Sequence, residues 1–129
     1  MNYVRILLFS SLAILGGWIS YSNILTAFIY NQPIIERDGI MNILSGYGCL
    51  LIGIYIAVYA AKEQFHFSLY IGEINKMIGI LFFISLILSV ITFSTINRQI
   101  DGYIECKNLR EISTRYSSRT YAKSIELCQ

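Results

Sequence analysis

Residues 77–96 read MIGILFFISLILSVITFSTI. The stretch is twenty residues long, carries no charge and no proline, and has a single glycine. Wound as an α-helix at about 1.5 Å per residue, it covers about 30 Å, the hydrocarbon thickness of a bilayer. It reads as a transmembrane span, and the rest of the chain falls into place around it.

Two apolar stretches precede it. The N-terminal run has one basic residue, Arg5, followed by an apolar segment and a weak small-x-small site at Ser20 and Ser22, which is the outline of a secretory signal. The apolar pattern resumes at Ile24, however, so one uncleaved span over 4–30 is expected, with Trp18, Tyr21 and Tyr30 at or near an interface. A second span covers 40–61 and the third 77–96. The predicted fold class is therefore an all-α membrane protein: three transmembrane helices and a short, partly helical polar C-terminal tail over 97–129, all forming one membrane unit.

Composition agrees. Charged residues make up 14% of the 129-residue chain and hydrophobic ones 55%, whereas a soluble domain carries about 25% charged residues. The net charge of +2 and the lack of any Lys/Arg-rich run argue against nucleic acid as a partner.

Small and hydroxylated residues mark the faces on which the spans are expected to pack. Gly46, Cys49 and Gly53 recur at i, i+3, i+7 and share one face of span two, with Gly16 and Gly17 of span one as candidate partners. Cys49 is expected to be a small buried hydrophobe. Ser85, Ser89 and Thr92 form a stripe on span three, with Ser94 on the opposite face. The stripe is read as helix packing, with the lining of a narrow aqueous path as the sharper alternative.

Of the connections, 31–39 (NQPIIERDG) holds the only proline and the charge cluster Glu36, Arg37 and Asp38. It is read as a solvated turn, or alternatively as a recognition loop. Residues 62–76 read as an interfacial link rich in aromatics; His66 is the only histidine and has no HxxxH or HxH partner, so an interfacial polar residue is expected there.

The tail has six Lys/Arg and four Asp/Glu. Asn108 with Glu111 resembles a capping box, and Tyr121, Ile125 and Cys128 fall at i, i+4, i+7, which predicts short helical pieces. A segment of this size cannot bury a stable core by itself. Cys106 and Cys128 frame 21 residues, and a bond between them would stabilise the tail by about 3 kcal/mol on the chain-entropy model. The alternative is two free thiols. Without a CxxC or clustered histidines, neither thiol redox catalysis nor a zinc site is expected.

The orientation rules conflict. Counting Lys/Arg favours a cytoplasmic tail, whereas a tail disulfide requires an oxidising compartment. The cysteines and the position of Arg5 favour a cytoplasmic N-terminus and a periplasmic tail.

Gly102-Tyr103-Ile104-Glu105-Cys106, the Ser/Tyr-rich segment after it and the penultimate Cys128 resemble a family of small bacterial membrane proteins known as domain of unknown function 1240. The resemblance implies three spans, a short tail with a GYxxC element and a closing cysteine, and an inner-membrane location in a Gram-negative bacterium. It implies no activity.

Among the spans only Arg5, at an edge, is ionisable, and no serine, phosphate-loop or paired-carboxylate motif is found, so an enzyme is not expected and no cofactor or metal is implied. Binding remains. The first expectation is an immunity or protective protein that intercepts a membrane-acting toxin through the Gly46/Cys49/Gly53 face, the first loop and the stapled tail, with Glu36, Arg37, Asp38, Tyr103, Tyr116 and Tyr121 as interaction candidates. The second is a structural or regulatory subunit of a larger membrane complex. The third is a homo-oligomeric channel built on the Ser85/Ser89/Thr92 stripe. The expected partners are the lipid bilayer and a membrane protein or toxin, with self-association left open.

Overall fold

The computed structural model of the chain describes residues 2–29, 31–109, 111–112 and 117–128. Three helices dominate: α1 (Asn2–Phe28), α2 (Ile40–Phe65) and α3 (Ile74–Ile100). At 26 or 27 residues each, they are about 40 Å long. All three are long and apolar enough to cross a membrane, and their most apolar windows are only 17–33% buried within the chain. They outrun the expected spans at several ends: α2 continues to Phe65, and α3 starts at Ile74 and runs on to Ile100. Expected interface residues Trp18 and Tyr21 are exposed on α1, and Tyr30 lies outside the described residues.

The predicted all-α fold needs correction. Residues expected to form a loop make a strand, β1 (Ile34–Asp38), and the tail is mostly extended rather than helical: β2 (Ile104–Glu105), β3 (Glu111–Ile112) and β4 (Ser117–Ala122). β4 pairs antiparallel with β1 along one edge and with β2 and then β3 along the other, so the sheet is three strands wide. β2 and β3 act as one strand interrupted by a 3-10 turn at Lys107–Leu109. That turn replaces the helix expected from Asn108 and Glu111. Tyr121 lies in β4, and a second 3-10 turn at Ile125–Cys128 ends the described chain, so the helical face expected from Tyr121, Ile125 and Cys128 does not form. A short isolated helix is marginal in water; as β4, the segment instead finds backbone partners in β1 along one edge and in β2 and β3 along the other.

The helices pack through their glycines. A Cβ on Gly16 would lie 2.5 Å from Leu50 N and 2.7 Å from Gly46 O, and one on Gly53 would lie 3.1 Å from Ala13 N. A Cβ on Gly46 would lie 2.9 Å from Ile19 Cγ2 and 3.2 Å from Ser20 Oγ. Backbones this near gain dispersion and lose no side-chain entropy, which is how helices associate where no hydrophobic drive separates them from lipid. Gly17 is less tightly packed, with Leu50 Cδ1 at 3.4 Å. Cys49 departs from expectation in part: its Cβ lies at the α1–α2 contact, 2.7 Å from where a Cβ on Gly16 would be, yet the residue is exposed rather than buried.

The closed core sits at one end. Ala27 of α1, Ile35 of β1, Ile43 and Tyr47 of α2 and Ile96 of α3 form it, with Phe93, Ile100 and Tyr103 packed against it. This is where the sheet docks. At the opposite end α2 closes on His66 in a left-handed conformation (φ 53°), and 66–73 runs irregularly with Tyr70 fully exposed.

Adding one methyl group at Gly16 should therefore cost about 1–3 kcal/mol, because the atom it meets is backbone and cannot move aside. Gly48, with open space around it, should accept alanine without loss. Unfolding of Gly16→Ala and Gly48→Ala in detergent micelles compares them directly.

Candidate functional site

The junction between sheet and helices gathers most of the chain's polar chemistry. β1 alternates its side chains, as a strand must. Ile35 turns into the helical core at 1% exposure. Arg37, two residues on, shares that face. Its guanidinium lies 5.2 Å from the Phe93 ring of α3 and 5.3 Å from the Tyr121 ring of β4, and Nη1 donates to Asn97 Oδ1 at 2.5 Å. Two ring faces and an amide oxygen thus hold one cation at the place where the apolar run of α3 ends. Arg119 is the direct cross-strand partner of Arg37. A cavity of about 190 Å³ opens beside them, bounded also by Asp38, Gly39, Ile40 and Ser117.

Glu36 and Asp38 occupy the other face. Glu36 Oε1 accepts from Ser118 Oγ at 3.3 Å, and Asp38 Oδ2 accepts from Asn23 Nδ2 at 3.4 Å. Asn23 also donates to Ile19 O at 2.9 Å and is buried in α1. Together with Ser22, Thr26 and Gln32 they line a second, hydroxyl-rich groove of about 410 Å³. The charge cluster expected to form a solvated turn is therefore a strand that docks the sheet, with Arg37 on one cavity, Glu36 on the other and Asp38 bordering both.

Further bonds lock the seam. Tyr103 Oη donates to Gln32 O at 2.7 Å, Gln99 Nε2 donates to Ala27 O, and the Lys123 backbone N–H donates to Pro33 O at 3.1 Å. These use carbonyls that the end of α1 and its connector would otherwise leave unpaired. Of the interaction candidates, Tyr103 and Tyr121 are half-buried in this seam, and Tyr116 lies outside the described residues.

The tail is clasped. Cys106 and Cys128 form a disulfide with Cα atoms 5.4 Å apart; Cys106 is buried, and its N–H donates to Thr120 O at 2.8 Å. The bond ties the last turn of the described chain to the strand edge at β2.

Deeper in the helices the hydroxyl stripe is spent on packing. Ser85, Ser89 and Thr92 are 0, 1 and 5% exposed. Ser85 Oγ donates to Leu81 O at 2.8 Å and Ser89 Oγ to Ser85 O at 2.6 Å. Thr92 Oγ1 and Tyr47 Oη are 2.7 Å apart across α2 and α3. Ser94 is exposed on the opposite face, as expected.

Asn23, Tyr47, Phe93, Asn97 and Arg119 take part without having been singled out in the sequence. Asn23 carried a usable signal, an amide inside an apolar span. The others depend on contacts between distant segments. Among the described residues no group of three His, Cys, Asp or Glu is placed to hold a metal ion.

No curated protein and no solved structure matches the chain. One family model, described as "Protein of unknown function (DUF1240)", matches residues 34–129, opening on the first residue of β1 and taking in α2, α3 and the whole clasped tail. On that match the chain belongs to the DUF1240 family, proteins whose function is unknown.

Proposed function

We propose that the chain is a multi-pass protein of the bacterial inner membrane that works by recognising another protein and catalyses nothing, and that its role is immunity against a membrane-acting toxin. The observation that carries the proposal is the cap. Two segments some 80 residues apart in sequence are brought into one sheet, fastened to α3 by Arg37 and to the connector after α1 by Tyr103, and closed by the Cys106–Cys128 bond. A surface fixed in advance loses little entropy on binding, which favours recognition.

The route differs from the one the sequence suggested. Gly46 and Gly53 are covered by α1, so the face they share is not offered to a partner. In the proposal the partner meets the cap and the outer side of α3, where Phe82, Phe83, Ile87 and Val90 are exposed. That apolar side also favours a second reading, a subunit of a larger membrane complex. The hydroxyl stripe, buried and hydrogen-bonded, gives the channel reading no support.

The cap is placed on the periplasmic side. An oxidising compartment sustains a structural disulfide, and a cytoplasmic one does not.

Two measurements test this. Cells expressing a membrane-active toxin encoded beside the gene should survive when the chain is co-expressed; equal killing with and without it contradicts the immunity role. In intact cells carrying the Cys49→Ala chain, a membrane-impermeant maleimide should label Cys106 and Cys128 only after a reductant is added. Labelling that needs cell lysis but no reductant refutes both the bond and the placement.

A further inference from the structure

β1 has β4 on one side and no strand on the other, and the parity of its hydrogen bonds decides which groups that outer edge offers. Just beyond its two ends, the Lys123 N–H donates to Pro33 O and the Gly39 N–H to Ser117 O. The odd-numbered residues of 33–39 therefore carry the main-chain bonds to β4. In an antiparallel ladder the N–H and C=O of the residues between them point the other way. Ile34 and Glu36 are two of these, and both line the groove of about 410 Å³ between β1 and α1. The polar side chains of α1 leave that edge alone. Thr26 Oγ1 donates back to Ser22 O, and the Asn23 amide is directed to Ile19 O and to the Asp38 side chain. Among the described residues no hydrogen bond from α1 reaches the main chain of Ile34 or Glu36, and both residues are exposed.

We infer that an extended segment of the partner protein enters this groove and adds to the sheet beside β1, with a basic side chain opposite Glu36. A row of outward N–H and C=O groups is a template for one more strand, because it matches the main chain of any extended peptide. The groove is of a size that encloses ligands, about 300–1,000 Å³. Charge supplies the preference. Glu36 is exposed, and its carboxylate accepts from the neutral Ser118 hydroxyl at 3.3 Å. Among the described residues no Lys or Arg lines the groove, and an opposite charge directly across a strand pair is favourable. A second copy of the chain fits less well. Paired antiparallel with itself over all five residues, β1 would set Glu36 against Glu36, which is unfavourable for like charges.

The inference rests on the cap being a recognition surface, as proposed above, and names the form its partner takes. The full chain in detergent is titrated with a fluorescein-labelled heptapeptide of alternating threonine and valine with lysine at its centre, and binding is read by fluorescence anisotropy. Methyl groups on the amide nitrogens of the lysine and both valines, which face β1 when the lysine lies opposite Glu36, should weaken binding about tenfold or more; methyl groups on the threonine amides, which face away, should change it less than about twofold. Glutamate in place of the lysine should also weaken binding about tenfold, and Glu36→Gln should erase that difference. Glu36→Pro removes one outward N–H and leaves the bonds of residues 35 and 37 to β4 in place; it should abolish binding, with Cys106 and Cys128 still protected from maleimide until reduced. Equal effects of the two methylation patterns, or no binding of the unmethylated peptide at about 1 mM, overturns the strand site. Equal affinity for the lysine and glutamate peptides overturns the basic partner. A dimer in detergent that Glu36→Pro dissociates reassigns the edge to a second copy and overturns the partner segment. A chain that binds the peptides in this pattern yet protects no cells refutes immunity alone; a protective chain without the pattern refutes this inference alone.

Discussion

The pairing of β1 with β4 constrains everything else. β1 lies between α1 and α2 in sequence, and β4 follows α3. Their register, Ile34 with Ala122 through Asp38 with Ser118, requires the end of α1, the start of α2 and the end of α3 to meet at one end of the molecule. That requirement alone arranges three consecutive helices as antiparallel neighbours. The dependence runs both ways. A three-strand sheet this small is marginal by itself; it is stabilised by sinking Ile35 among Ala27, Ile43, Tyr47 and Ile96. The helices, for their part, find their best-closed core there.

Two kinds of seam hold the helices, and they differ in physical character. α1 and α2 meet through backbone closeness at Gly16, Gly46 and Gly53, a contact made of dispersion and shape. α3 is attached by polar atoms: Thr92 to Tyr47, Asn97 to Arg37, and Gln99 to the last turn of α1. Polar bonds are directional, so they fix the rotation of α3 about its axis and with it the side that faces outward. The serines between them bond their own backbone and leave the interior without an open polar group at those positions. The cap thus sits on a frame whose orientation is set by the same residues that anchor it.

Much of this was legible in the sequence, for reasons tied to range. The three helices follow from continuous apolar runs, a signal each segment carries alone. The disulfide followed from a tail too small to stand without one. The packing role of Gly16, Gly46 and Gly53 followed from their small size and helical spacing. The sheet did not show. Ile34-Ile35 is followed by three charges and preceded by Pro33, so the local composition argues for a turn; only a partner more than 80 residues away makes it a strand. In β4 the buried positions are Ser118, Thr120 and Ala122, small residues with no hydrophobic alternation to see. Arg37 stands in a visible charge cluster, but its ring partners Phe93 and Tyr121 come from two other elements, and no spacing rule connects them.

The central claim is that the first connection and the tail form one sheet at one end of the helices. Cysteines in place of Glu36 and Thr120, which face each other across β1 and β4, test it most directly in a Cys49→Ala chain held in membranes. After oxidation and proteolytic cutting within 66–73, the two halves should stay joined on a denaturing gel and separate when reduced; the native bond lies wholly within the second half and cannot join them. Halves that separate without reductant would contradict the pairing, and with it the arrangement of the helices and the cap.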